Sequence, residues 1–405
     1  MNRPQIHLVI ACLTSAALFT GSPMCAAQDS DASAAAGAAA AEPASLSELR
    51  TFADVFALVR DSYVDPVSEA DLLAAAARGL ADSLDEYSDY LGPEAYRRQD
   101  EGNRGRQVGI GARAIIDDGK RLVIEDVYPD GPAWMAGVQR GDIILRIDDE
   151  PVKGRRLQAS LNALAGAPGS EVTLRLQTPG MNPRKLTLER AYVPVPSVRG
   201  ERLRDGIALV RVDRFNLGTR QEFQAVLDSL RPDGGALAGV IIDLRNNWGG
   251  VIRPAAEIAD GFLDGGKVVY TRGRYRDSRL EYDALPGQWA EGVPVAVLVN
   301  GGSASASEIL AGALQDHGRA TVVGSRTFGK GTVQSIFRLR NGSALKLTTA
   351  RYFMPSGRSF DGQGIEPDIA VEEGTRGDRT PVALKDDLAL QAALQAFRDG
   401  EIAGG

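Results

Sequence analysis

Three serines at alternate positions open the stretch Ser303-Ala304-Ser305-Ala306-Ser307-Glu308, and a lysine follows within Thr327-Phe328-Gly329-Lys330-Gly331-Thr332-Val333-Gln334. A serine hydroxyl attacks a carbonyl carbon once a base takes its proton, so the first need of such a site is a base. The serine stretch follows the apolar run Val293 to Val299 and the turn Asn300-Gly301-Gly302, and it opens a predicted helix reaching about Asp316. Backbone N–H groups and the positive end of a helix dipole at that point suit a developing oxyanion. A second reading needs no chemistry: Ser305-x-x-Glu308 is also a capping box, which closes a helix start by itself.

The residue inventory narrows the choice of base. The chain has two histidines, His7 and His317, and two cysteines, Cys12 and Cys25. His317 lies 12 residues (317 − 305) beyond Ser305 on the same predicted helix, which places it about 18 Å away at 1.5 Å per residue. It reads as a helix C-terminus followed by the C′ glycine Gly318. His7, Cys12 and Cys25 lie in the first 25 residues, read below as an export signal, so a Ser-His-Asp triad, a zinc site built on histidine pairs and a cysteine nucleophile are not expected, and lysine is the favoured base. A lysine base must shed its proton near neutral pH, which requires moving it from about 10.4 toward 7 to 8 by desolvation or placement. Lys330, between Gly329 and Gly331 and close to Phe328 and Val333, has that context.

Two motif matches are rejected. Gly324 to Lys330 fits the start of a phosphate-binding loop, yet Gly331 stands where Ser or Thr should bind Mg²⁺, and a strand pattern follows in place of a helix. Ser343-Ala344-Leu345-Lys346 fits the S-x-x-K motif of penicillin-recognising enzymes but follows the hairpin signal Asn341-Gly342 and lies in an alternating strand.

The elements that must position these groups can be read in order. Residues 1–27 combine Arg3, an apolar run from Leu8 to Phe19 and small residues ending in Cys25-Ala26-Ala27, the pattern of a secretory signal peptide. An uncleaved anchor is the alternative, although the run is short for a membrane span. Residues 28–45 form an Ala-rich tether. The expected mature protein is soluble, periplasmic or otherwise exported, and free of disulfides, and a net charge of −7 with interspersed signs argues against nucleic acid. Ser47 to Tyr63 carries one apolar helix face (Leu49, Phe52, Phe56, Val59, Tyr63), and Ser68 caps a second helix to about Ser83; the two are expected to form a small packing unit.

From Gly105 to Leu188, short β-runs alternate with turns around a helix from Gly154 to Ala165. Gly109-Ile110-Gly111 at its head is a candidate backbone nest for an anion or carboxylate, or else a glycine-bearing strand. From Gly206 the pattern becomes β-α-β-α, with a Thr219-x-x-Glu222 capping box, the strand Val240 to Leu244 and Gly249-Gly250 at its end. This is an α/β domain with its candidates at strand ends, where such sheets place sites. An amphipathic helix is expected from Leu384 to Phe397.

With those motifs on the page, the sequence resembles the carboxy-terminal processing, or tail-specific, proteases. The resemblance rests on Gly302-Ser303-Ala304-Ser305-Ala306-Ser307-Glu308-Ile309, Thr327 to Gln334, Asp243 to Gly250 and Gly364-Ile365-Glu366-Pro367-Asp368, and it covers about residues 50 to 372. It implies a Ser-Lys dyad 25 positions apart (330 − 305), which selects Ser305 as nucleophile over Ser303 and Ser307 and Lys330 as general base. Gln334 would orient the lysine, and the N–H groups of Gly249 and Ala306 would form the oxyanion hole. It further implies an α/β protease core of crotonase-like spiral fold with an inserted PDZ domain, in which Gly109, Ile110 and Gly111 hold a substrate's free C-terminal carboxylate.

The expected division is an N-terminal helical segment over 46–104, the PDZ domain over 105–190, the core over 191–372 and a tail over 373–405. The expected partners are protein or peptide C-terminal tails, with an adaptor protein and a homo-oligomer left open and no cofactor or metal required. Trp248 and Glu86 depart from the family pattern, which carries a small residue or proline at the first and often proline at the second. A catalytically silent PDZ scaffold and a crotonase-like acyl-CoA enzyme are the competing functions; the export signal counts against the latter.

Overall fold

The computed structural model describes residues 45–117, 119–152, 157–231, 235–274, 278–371 and 386–402. The expected signal peptide, most of the tether and the start of the tail lie outside them. Among the described residues no helix is long and apolar enough to cross a membrane. The chain divides into two compact units, one of residues up to Gly92 with Ile336–Lys346 and one of Pro93–Ser335 with Leu347–Gly405.

In the first unit, helices Leu46–Ser62 and Glu69–Asp82 form close to the expected bounds, each capped by a serine (Ser45, Ser68). Ser45 and Glu48 make a reciprocal capping box. The expected packing unit is corrected here: Leu46–Ser62 buries none of its residues, and Leu49, Phe52 and Tyr63 are all more than half exposed. The 3.6-residue period shows that a helix has an apolar face without showing what covers it. Asp89–Leu91 pairs antiparallel with Ala344–Lys346, so Lys346 of the rejected S-x-x-K match sits in a strand.

The second unit opens with the helix Pro93–Asn103, of which only Gly102 is buried. Its eleven residues, mostly polar, carry no apolar stripe to read. A small, mainly β body follows, with antiparallel strands in the order Ala112–Ile116, Leu122–Val127, Ile143–Ile147, Glu171–Gln177 and Arg184–Glu189. Its core joins Ile110, Leu122, Ile124, Ile144, Leu174 and Leu176, and the helix Leu157–Leu164 contributes Leu164. The chain enters and leaves this body through the pair Arg106–Gly109 and Ala191–Pro194.

The larger α/β body is a six-stranded sheet in the order Val198–Arg202, Ile207–Val212, Gly239–Asp243, Val295–Val299, Thr321–Gly324 and Ile369–Ala370. The first pair is antiparallel and the rest are parallel. Gly239–Asp243 and Val295–Val299 are buried at every position, as parallel strands covered on both faces must be. Side chains alternate accordingly. Val240, Ile242, Val295, Val297 and Val299 face the helices Ile252–Asp260 and Ala306–Asp316, while Ile241, Ala296, Leu298 and Val323 face Leu390, Ala393 and Ala396 of the C-terminal helix Leu388–Asp399.

The Thr219-x-x-Glu222 box does not form. Gly218 takes the N-cap position, and the Glu222 carboxylate instead accepts from the Ser197 N–H and hydroxyl and the Val198 N–H. A neighbouring turn with unmet donors outcompetes the local cap.

Candidate active site

Two turns at the C-terminal ends of adjacent parallel strands interlock to build the site. The turn after Asp243 and the turn after Val299 are tied by Asn246 N–H to Asn300 Oδ1 (2.9 Å) and by Ala304 N–H to the Asn247 carbonyl (3.0 Å). The Ser303 hydroxyl donates to the Leu244 carbonyl and the Ser307 hydroxyl to the Asn247 carbonyl, both at 2.8 Å, and both serines are fully buried. Two of the three candidate serines are therefore structural. Ser305 is the one left with some solvent access (9%), and it faces Glu308 in a capping-box arrangement at the helix start.

The Ser305 backbone sits at φ 56°, ψ −112°, immediately before the helix Ala306–Asp316. A non-glycine residue there is strained by about 1–3 kcal/mol, and a strained strand-to-helix turn is how a nucleophilic serine is lifted out of its surroundings. Nine consecutive residues, Ala306 to Leu314, are buried, so the helix is fixed on all sides. His317 is at its far end, its Nε2 2.7 Å from the Lys267 carbonyl, which confirms that it cannot serve Ser305.

Lys330 approaches through Glu308. The Glu308 carboxylate, with no exposed surface, accepts from Ser305 N–H (2.7 Å), Lys330 N–H (2.9 Å), Gly329 N–H (2.6 Å) and the Thr327 hydroxyl (2.5 Å). Burial pushes this carboxyl up from its ordinary range, against the opposing pull of the Thr327, Gly329, Ser305 and Lys330 bonds. Lys330 is half-buried between the buried Gly329 and Gly331. A Cβ at Gly331 would lie 2.6 Å from Asp361 Cα, so only glycine lets those two segments meet. The strand Thr332–Arg338 then follows, as the rejection of a phosphate loop requires. Gln334 Nε2 reaches the hydroxyls of Thr332 (2.9 Å) and Thr348 (3.3 Å) on that side of the site.

The proposed oxyanion donors differ from each other. Ala306 is the first residue of a helix, where N–H groups lack intrahelical acceptors. The Gly249 backbone lies against the serine: a Cβ there would be 3.0 Å from Ser305 Cβ. Its N–H, however, donates to Asn247 Oδ1 at 2.9 Å in a local Asx turn. The buried Asn247 side chain, which also donates to the Val212 carbonyl, thus holds the N–H that the family resemblance assigns to the oxyanion hole. Trp248 is 57% exposed and meets Phe328 (45% exposed) edge to face, with ring centroids 5.5 Å apart. It is not a core residue.

A charge ladder supports the first turn. Asp243 accepts from Arg211 and Arg245, and Arg245 makes two further bonds, at 2.7 and 2.8 Å, to Asp387. Asp387 also caps the C-terminal helix through Leu390 N–H.

In the small β body, the Ile110 side chain belongs to the core. The Ile110 carbonyl accepts from Ala133 N–H and the Gly111 carbonyl from Tyr128 N–H. Gly111 has φ 77° and would press a Cβ to within 3.1 Å of Gly131 Cα, so the loop requires glycine there.

Comparison with known proteins places this arrangement. The model of Peptidase family S41 matches residues 206–371, which include Ser305, Lys330 and Gln334, and a PDZ domain model matches residues 123–178. A carboxy-terminal-processing protease of Bartonella bacilliformis is 37% identical over 329 residues, covering 80% of this chain and 75% of that one. The chain belongs to peptidase family S41. As an S41 peptidase of the carboxy-terminal-processing group it is a serine protease.

A probable CtpA-like serine protease of Staphylococcus saprophyticus is 32% identical over 330 residues, with 80% of this chain and 66% of that one covered. A solved S41-family structure from Bacteroides fragilis, 16% identical, superposes with a TM-score of 0.54 over 86% of this chain and 97% of its own, which supports the fold alone. The S41 fold so identified agrees with the α/β core of crotonase-like type and its PDZ domain. The PDZ match begins at Val123, beyond Gly109-Ile110-Gly111, so the loop joins that domain through the burial of Ile110.

Sequence reasoning missed the wider part of Glu308 and the parts played by Asn247 and Asp387. Glu308 carries a local signal as half of a capping box, and Asn247 lies within the Asp243 to Gly250 motif, whereas nothing near Asp387 points to Arg245.

Proposed function

We propose that this S41 peptidase cleaves exported proteins near their C-termini through a Ser305–Lys330 dyad. The observation that carries the reading is the left-handed Ser305 at a buried helix start, joined by one carboxylate to the backbone of Lys330. In the neutral state the Lys330 Nζ takes the proton from Ser305 Oγ as the oxygen attacks the scissile carbonyl. The oxyanion forms beside the Ala306 N–H, and the Gly249 N–H joins it once the Asn247 carboxamide lets go. Lys330 then returns the proton to the leaving amine, and water, deprotonated in turn by Lys330, releases the acyl chain. Gln334 orients the lysine from the Thr332–Arg338 strand. The domain division proposed is helical segment 46–104, PDZ domain 105–190, protease core 191–372 and tail 373–405. Mass analysis of a tailed protein incubated with the wild type and with Ser305→Ala, read at the new C-terminus, tests the proposal; identical products would end it.

Capture of the tail is assigned to Gly109-Ile110-Gly111. Gly109 ends the strand paired with Ala191–Pro194, and backbone N–H groups at the turn that follows suit a carboxylate, whose hydrogen bonds are of the stronger, charge-assisted kind. Amidating the substrate's C-terminus should weaken binding by roughly 5- to 150-fold, the equivalent of about 1–3 kcal/mol for poorly matched donors. Titrating the Ser305→Ala protein with free and amidated forms of one peptide measures this. Equal affinities would remove the tail-reading role from the loop.

The exposed Trp248–Phe328 pair flanks both the Gly249 turn and Lys330, and we assign it as an apolar wall for a side chain next to the cut. Trp248→Ala should alter the ratio of kcat/KM between large and small apolar residues there by about tenfold. An exposed substitution should change stability by no more than about 0.5 kcal/mol. A profile of cleaved peptides beside a melting curve separates the two effects; an unchanged ratio with a large fall in Tm would make the tryptophan a packing residue.

A further inference from the structure

We propose that Glu308 is a positioning residue for the reaction, a buried backbone clamp that sets the separation of nucleophile and base. This rests on the assignment of Ser305 and Lys330 given above.

The two residues come from separate pieces of chain, a helix start and the approach to a strand. Side-chain packing alone would leave their spacing soft, since Lys330 reaches the site on four rotatable carbons. Glu308 removes that freedom at the main chain. Its Oε2 accepts both the Ser305 N–H (2.7 Å) and the Lys330 N–H (2.9 Å), so one oxygen atom is shared by the backbones of the two residues. Its Oε1 accepts the Gly329 N–H (2.6 Å) and the Thr327 hydroxyl (2.5 Å), which fixes the turn leading into Lys330. The Thr327 oxygen in turn accepts the Ile365 N–H (2.6 Å), so the clamp is itself held by a third segment.

Four donors on a carboxylate with no exposed surface are more than a helix cap uses; capping needs only the Ser305 bond. The same bond holds Ser305 in its left-handed conformation, because releasing the N–H would leave it free to relax toward an ordinary helical start. Burying a carboxylate is costly unless it is fully hydrogen-bonded, and here every bond but one comes from the Lys330 side. The arrangement gives Glu308 no contact with a substrate and no role as a proton carrier.

Glu308→Gln keeps the volume but turns an NH₂ group toward two of the four donors. In the folded full-length protein kcat is expected to fall about 100-fold, the scale of a displacement of about 1 Å between reacting groups, while KM stays within about threefold. Amide hydrogen exchange at Ser305, Gly329 and Lys330 should quicken at least about tenfold in the same variant, with the central strands unchanged. Should Glu308→Gln fail to fold, Thr327→Val and Thr327→Ser carry the test: the valine removes one donor and should lower kcat about tenfold, and the serine restores it and should stay within about threefold.

A folded Glu308→Gln protein with wild-type kcat, or unchanged exchange at Ser305 and Lys330, overturns the clamp. Equal kcat in the two Thr327 variants does so as well. Cleavage that survives in Ser305→Ala would instead overturn the dyad, and the exchange rates would still decide for or against Glu308.

Discussion

Ser305→Ala is expected to lower the rate of peptide cleavage by roughly 10⁴- to 10⁶-fold, the scale seen when a serine nucleophile or its base is removed from a protease. The loss should fall on kcat, with tail binding and the fold retained, because alanine keeps the backbone N–H that anchors this turn on Glu308. Lys330→Ala and Lys330→Arg should be equally inactive, since a guanidinium cannot give up its proton at working pH. His317→Ala is the contrasting variant. It loses one bond to the Lys267 carbonyl at the opposite end of the helix and should keep cleavage within about twofold of wild type, as surface changes away from a site do. Steady-state assays on a single tailed substrate measure all four, and a folded but inactive His317→Ala protein would end the dyad assignment.

The second large effect concerns stability. Asp387→Ala should cost about 3–5 kcal/mol, the usual consequence of leaving one member of a buried ion pair unpartnered. The side chains of Arg245 and Asp387 are only 11% and 12% exposed, and the substitution also strips the N-cap from Leu388–Asp399. Burial disfavours ionisation of Asp387, but the hydrogen bonds and charge of Arg245 outweigh it, so its carboxyl lies below the ordinary range. A carboxyl whose folded value is depressed contributes its stability above the unfolded value, about 3.9, and loses it as pH falls through the folded value. Denaturant titrations should therefore show the full difference between wild type and Asp387→Asn at neutral pH and a vanishing one below both values. A constant difference across that range would mean that the aspartate contributes by packing alone.

What the sequence made legible was local. The Val295–Val299 run, the turn after it and the helix to Asp316 follow from hydrophobic pattern and small residues at the turn. The exclusion of His317 needed only the rise of a helix, and the structure agrees. What stayed hidden was partnership across the chain. The Arg245–Asp387 pair joins residues 142 positions apart, which no window of sequence displays. The Glu222 carboxylate looked committed to Thr219 and went to Ser197 and Val198, and Glu308 looked like a cap while holding three further donors. In both cases a short motif named the acceptor correctly and could not name its donors, because those are brought together by the sheet. Leu46–Ser62 failed differently: its period is helical, yet its apolar face remains uncovered.

The left-handed backbone at Ser305 also bears on how this chain is maintained in a genome. A residue strained by about 1–3 kcal/mol consumes a sizeable part of a typical folding stability of 5–15 kcal/mol. Glycine tolerates the same dihedral angles freely. A lineage that had given up hydrolysis and kept only tail binding would gain stability by a change to glycine and would drift toward it. Ser305 at φ 56° carries that cost in this chain, which is the outcome expected if the proposed nucleophile is in use and not the one expected of a silent scaffold.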